Sequence, residues 1–177
     1  ATLSDAEIKQ VADEACAKQD AEATIAPASS AYTKRLDKIA AALGNPLSGT
    51  SVNYKVYLTS DVNAFAMANG CVRVYSGLMD LMNDNEVEGV LGHEIGHVAL
   101  GHVKKATQTA YATAAARTAA SAAGNSAVAA LSQSQLGEIG EALVNAQFSQ
   151  SQESAADDYS FDLLKKRGIA LEGLASA

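Results

Sequence analysis

The chain of 177 residues has no tryptophan and few aromatic residues of any kind, six Tyr and three Phe. It has two prolines, two cysteines, and fewer basic residues (13) than acidic ones (20), for a net charge of −7. Each shortage excludes something. Without a positive footprint there is little to hold a phosphate backbone, so nucleic acid is not an expected partner. No run of about 18 apolar residues is free of polar groups, so no transmembrane helix is expected. So few prolines leave room for long helices. Neither cysteine belongs to a C-x-x-C pair, which speaks against a redox centre. The chain begins at Ala1, with no charged-then-apolar leader, and is expected to be a mature or trimmed form. Cys16 follows Asp13, Glu14 and Ala15 and does not read as a lipid-attachment site. Alanine, in contrast, is abundant. It supplies 37 residues, so the 48% hydrophobic content overstates the large side chains, and the core must rest on close packing of Ala-lined helices. The length suits one domain with a real core.

The apolar spacing organises the chain. Ser4 and Glu7 form a capping box ahead of Ile8, Val11, Ala12 and Ala15, which predicts a helix to about Ala23. A second helix starts near Ser29 or Ser30 and stops at Gly44. The period then falls to two. Val52, Tyr54, Val56 and Leu58 read as a strand, and 62–68 and 71–76 read as two more, joined by the Asn69-Gly70 turn. Together they predict a small antiparallel sheet. A short helix follows over 77–82, and Asp84 is the expected N-cap of a helix running through the histidines to about Lys105. Residues 106–135 hold 13 Ala and one charge, Arg117, and read as an Ala-rich helical hairpin divided at Gly124-Asn125. That hairpin is either plain small-residue packing or a flap or contact surface. A last long helix is expected over 136–168, ending at Gly168.

All three histidines, His93, His97 and His102, fall within ten residues. Residues 93–97 read His-Glu-Ile-Gly-His. On a helix, i and i+4 share a face, so both imidazoles can reach one metal ion, with Glu94 beside them. This is the H-E-x-x-H pattern, in which the histidines bind zinc and the Glu is general base to a metal-activated water. Gly92 and Gly96 weaken the helix, as is understandable if a substrate or another backbone must come close; plain helix packing explains them equally well. A catalytic zinc needs a third protein ligand. His102 does not match the metzincin spacing and, on a continuous helix, lies more than a turn from the site; it reads as a packing residue or as a support to a ligand. Glu138, Glu141, Glu153, Asp157 and Asp158 are the acidic candidates. Glu153 and Asp157 share a face, so Glu153 could bind metal while Asp157 accepts a hydrogen bond from a ligand histidine. Pattern alone leaves that choice open, as it leaves open whether Cys16 and Cys71 are two thiols or a bridge worth roughly 4 kcal/mol.

Three segments carry a family resemblance: His93-Glu-Ile-Gly-His-Val-Ala-Leu-Gly-His102, Glu153-Ser-Ala-Ala-Asp157, and Asn63-Ala-Phe-Ala-Met-Ala-Asn-Gly70 with Ser76-Gly-Leu-Met79 after it. The chain resembles the HtpX-like zinc peptidases, gluzincins that include the CAAX prenyl proteases. The resemblance implies an α+β, mainly helical, zincin-like metalloprotease domain spanning 1–177. Its parts would be N-terminal helices (1–50), antiparallel strands (51–76), an active-site helix (84–105), the Ala-rich hairpin (106–135) and a helix bearing the third ligand (136–168). It implies one Zn²⁺ on His93, His97 and Glu153, Glu94 as catalytic base, and Asp157 supporting a ligand. It also implies that Asn63, Ala64, Phe65 and Ala66 form an edge strand binding extended peptide, and that Cys16 and Cys71 are bridged. Within the family, the likeness is to a periplasmic branch held at the outer membrane of Gram-negative bacteria by an N-terminal lipid. The implied function is zinc-dependent endopeptidase action on misfolded or unfolded envelope proteins, with an outer-membrane protein as a further partner. Members usually continue with a His-Pro element and further helices, so the chain is expected to be truncated at its C-terminus. The rival is a chaperone-like or partner-binding module of the periplasm with little or no proteolysis.

Overall fold

The computed structural model describes residues 2–116 and 128–176. Helix α1 (Asp5–Glu22) opens on the Ser4/Glu7 capping box and buries Ile8, Val11, Ala12, Ala15 and Cys16. Helix α2 (Ala31–Leu43) is capped by Ser30 and ends at Gly44, whose φ of 73° suits glycine. Strands β1 (Asn53–Tyr57), β2 (Ala64–Ala66) and β3 (Cys71–Tyr75) form one sheet in the order β1-β3-β2. Helix α3 (Ser76–Leu81) leads to α4 (Asp84–Ala99), α5 (His102–Ala116), α6 (Gln133–Val144), α7 (Gln150–Lys166) and the short α8 (Glu172–Ser176).

The sheet corrects one expectation. It is mixed, not antiparallel. β2 and β3 make the expected hairpin, with Phe65 opposite Arg73, but β1 lies parallel to β3, with Val56 beside Val74. The 13 residues between Tyr57 and Cys71 let the chain cross over with β2 inside the connection. The period-two pattern then sorts side chains between two cores. Val72 and Val74 join Leu36, Ile39, Leu91, Ile95 and Leu164 on one face. Cys71, Phe65 and Met67 join Val11, Ile139 and Leu143 on the other.

Two helices expected to be continuous are broken. The helix of 84–105 divides into α4 and α5 at Leu100 and Gly101, because Gly101 takes φ 82°. The helix of 136–168 divides into α6 and α7, because Ser149 caps α7 in a capping box with Gln152. The N-cap of α4 is Asn83, paired with Glu86, one residue ahead of the expected Asp84. Of the Ala-rich segment, α5 extends to Ala116 and α6 begins at Gln133; the expected turn at Gly124-Asn125 lies outside the described residues.

Helix α1 is fastened to the sheet by covalent and polar ties. Cys16 and Cys71 are bridged, closing a separation of 55 residues, worth roughly 4 kcal/mol in the chain-entropy account. Buried Arg73 donates to both carboxylate oxygens of Asp20, at 2.8 and 2.9 Å, and Tyr57 donates to the same group at 2.5 Å. Burial opposes ionisation of Asp20, but the hydrogen bonds from Arg73 and Tyr57, with the Arg73 and Lys55 charges, outweigh it and hold the carboxyl below its ordinary range.

Candidate metal centre

The site forms where α7 lies against α4, and glycine permits that contact. A Cβ on Gly92 would sit 2.4 Å from Ser160 Oγ, and one on Gly96 would sit 3.1 Å from the Cβ of Tyr159. Ser160, fully buried, donates to the carbonyl of Gly89 at 2.8 Å. The two interior glycines therefore serve helix packing, the plainer of their two readings. Their smoothness lets the N-terminal turns of α7 reach the histidine face of α4.

There the expected residues meet. Oε1 of Glu153 lies 3.2 Å from Nε2 of His93 and 2.5 Å from Nε2 of His97, and the two Nε2 atoms are 3.1 Å apart. These donors all lie within 4.8 Å of one another. On its far side, His93 donates from Nδ1 to Asp157 at 2.7 Å. The two ligand-candidate rings stand perpendicular, 4.7 Å apart. His97 is 1% exposed; burial, with the neighbouring His93, pushes its pKa down, which favours the neutral ring, while Glu153 opposes the shift. Half-buried Glu94 is not among these donors. Loss of hydration pushes its carboxyl up to about 7, against the pull of His93 and with a further push from Glu153. That value suits a group that takes and returns a proton near neutrality.

The donor set fits zinc. Tetrahedral ligands held about 2.1 Å from the ion lie roughly 3.4 Å from one another. The separations of 3.1 and 3.2 Å are close to that figure, and the third, 2.5 Å, has the length of a hydrogen bond. Two imidazoles and one carboxylate are a donor combination typical of catalytic zinc.

The sequence pattern of peptidase family M48 matches residues 29–177. The chain belongs to peptidase family M48. It is 65% identical over 176 residues to Metalloprotease LoiP of Escherichia coli (strain K12), a match covering 99% of this chain and 69% of that protein. It is 63% identical over 178 residues to Metalloprotease YcaL of the same organism, covering 100% of this chain and 69% of that one. A shorter match, 52% over 50 residues, links 26% of the chain to 17% of Protease HtpX of Thioalkalivibrio sulfidiphilus. The chain is thus a metallopeptidase by family.

Beside the donors, this M48 peptidase has a cavity of about 100 Å³ whose lining includes His93, Glu94, His97 and Glu153 together with Asn63, Ala64, Phe65 and Ala66. The expected edge strand and the expected base thus border the same cavity. β2 is the edge of the sheet. The N–H of Met67 donates to Cys71 O (2.8 Å) and the C=O of Asn63 accepts from Tyr75 N (3.0 Å), both on β3. The alternation of an antiparallel pair then turns the main-chain groups of Ala64 and Ala66 outward. The N–H of Ala64 donates to Oδ1 of Asn63 at 2.8 Å.

One neighbour of the site was not placed there by sequence reasoning, and a second, His102, was placed there by only one of its two readings. Phe148 stacks on His97, with ring centroids 3.9 Å apart and planes 18° from parallel. It lies in the break between α6 and α7, which the Ser149/Gln152 capping box could have signalled. His102, beyond reach on an unbroken helix, comes within 2.8 Å of His97, because Gly101 turns the chain between α4 and α5. A glycine directly after an apolar helical run is a helix-stop signal.

Proposed function

We propose that this M48 peptidase is a zinc-dependent endopeptidase acting on unfolded polypeptide, with His93, His97 and Glu153 holding the ion and Glu94 as general base. The observation that carries the reading is the convergence of Nε2 of His93, Nε2 of His97 and Oε1 of Glu153 from two helices onto one point beside Glu94. When bound, zinc supplies a Lewis acid that polarises the scissile carbonyl and lowers the pKa of water toward ~7. The protein's own groups do the rest. Asp157 accepts the Nδ1–H of His93, which leaves Nε2 of that ring as a lone-pair donor. Glu94 takes a proton from the attacking water on its carboxylate and passes it to the departing amide nitrogen. The outward carbonyls of Ala64 and Ala66 and the N–H of Ala66 pair with an extended substrate and hold it at the cavity.

That mode of docking favours unfolded substrates, since a folded protein has already spent its N–H and C=O groups on itself. The Cys16–Cys71 bridge supports an oxidising compartment, in keeping with a periplasmic site of action and with envelope proteins as substrates. Attachment at the outer membrane, and a partner protein there, are part of the same proposal. Casein, an unfolded substrate, tests it. Cleavage that a chelator abolishes and added zinc restores is the expected result. Casein bound but left intact by the zinc-loaded chain would overturn the endopeptidase reading in favour of a chaperone-like holding module.

A further inference from the structure

His102 reads from the sequence as either a packing residue or a support to a ligand, and it touches the proposed ligand most deeply buried, His97. We propose that His102 is a positioning residue for the metal centre, its Nδ1 accepting the Nδ1–H of His97 and so fixing the ring that presents Nε2 to the ion. The inference rests on reading His93, His97 and Glu153 as the ligands.

The placement of the ring protons fixes this arrangement. Nε2 of His93 and Nε2 of His97 both face Oε1 of Glu153. A neutral imidazole that offers Nε2 as a lone pair carries its proton on Nδ1. His93 places that proton on Asp157. His97 has 1% of its surface exposed and cannot place it on water, so its Nδ1–H must find an acceptor in the protein. The partner at 2.8 Å is Nδ1 of His102. For that contact to be a hydrogen bond, His102 must hold its own proton on Nε2. The same contact keeps Nδ1 of His102 from the ion, because it meets Nδ1 of His97 at the ring edge and not the ligating Nε2.

Local structure explains how a residue five positions on can do this. α4 stops at Ala99, Gly101 adopts φ 82°, and α5 begins at His102. A Cβ on Gly101 would meet nothing within 4 Å, so the left-handed turn itself, not crowding, calls for glycine there. Phe148 stacks on the ring of His97, with centroids 3.9 Å apart, and its ring is 6.1 Å from that of His102. The two candidate ligands are thus held by unlike partners: a carboxylate for His93, a neutral ring for His97.

Zinc dissociation constants, read by competition with a chromophoric chelator, test the proposal without reference to activity. His102→Ala is expected to weaken zinc roughly 10–100-fold, and His102→Asn, whose Oδ1 can stand near the position of Nδ1, is expected to recover to within about threefold of the wild type. Unchanged affinity in His102→Ala, or an equal loss in both variants, would overturn the positioning role. His97→Ala is the control: zinc affinity unaltered there would sink the ligand set on which the inference rests. Long-range ¹H–¹⁵N spectra of the zinc-loaded wild type supply a reading that no variant can confound. They should show His102 protonated at Nε2; a proton on its Nδ1 would overturn the proposal.

Discussion

Glu94→Gln is expected to keep one zinc ion per chain and to lower kcat on an unfolded polypeptide roughly 10²–10⁴-fold, or about 3–5 kcal/mol of barrier. Retention of the ion follows from geometry. Glu94 is not one of the three converging donors, and its neighbours on α4 supply two of them. Loss of turnover follows from chemistry. The amide of Gln is nearly the shape of the acid but cannot accept a proton from water, so attack and departure both lose their carrier. The local field sharpens the point. A carboxyl pushed up to about 7 by burial is a stronger base than an exposed one, and a cation at the adjacent donors would pull it back toward ionisation. Metal analysis beside a steady-state assay checks both halves. Full turnover in this variant would remove Glu94 from the mechanism.

Glu153→Ala is expected to cost more in metal than any change in the surrounding support. It deletes the single carboxylate that approaches both Nε2 atoms, at 3.2 and 2.5 Å, and leaves a two-histidine site. The loss of zinc affinity should exceed the roughly 10–100-fold typical of removing a residue that only supports a ligand. The fold should survive, because the Glu153 side chain is 48% exposed and the contact of α7 with α4 is carried by Ala156, Ser160 and Leu164 farther along the helix. Isothermal titration with zinc on this variant, with circular dichroism as the control for folding, separates the two effects. Stoichiometric tight zinc in a folded Glu153→Ala chain would eliminate the third ligand.

The elements of this fold are written locally, and its pairings are not. Ser4 and Glu7, Ser30 and Gly44, and Asn69-Gly70 mark boundaries through capping and turn chemistry within a few residues, and the structure puts elements there. The parallel alignment of β1 with β3 carries no such mark. Alternation in residues 53–57 identifies a strand, but its neighbour and direction depend on a core shared with α2 and α4. The broken helices are a different case. Gly101 and the Ser149/Gln152 box were visible stop and start signals, and the apolar spacing that runs through them obscured them.

The site divides along the same line. His93, Glu94 and His97 lie within one turn of one helix, so their convergence is a local fact. Glu153 is 56 positions from His97, and spacing alone could not choose it from the other acids; family likeness pointed to it, and the glycine face of α4 brings it there. Phe148 and His102 reach the ring of His97 through the two helix breaks; the breaks hid Phe148 and left His102 undecided between packing and support of a ligand.

The central claim is that three side chains from α4 and α7 hold one zinc ion beside Glu94. Anomalous diffraction at the zinc edge, on crystals of the metal-loaded chain, measures this directly. The expected map has one peak about 2.0–2.2 Å from Nε2 of His93, Nε2 of His97 and a carboxylate oxygen of Glu153. A peak ligated by His102 in place of Glu153, or one lying away from α4, would contradict it.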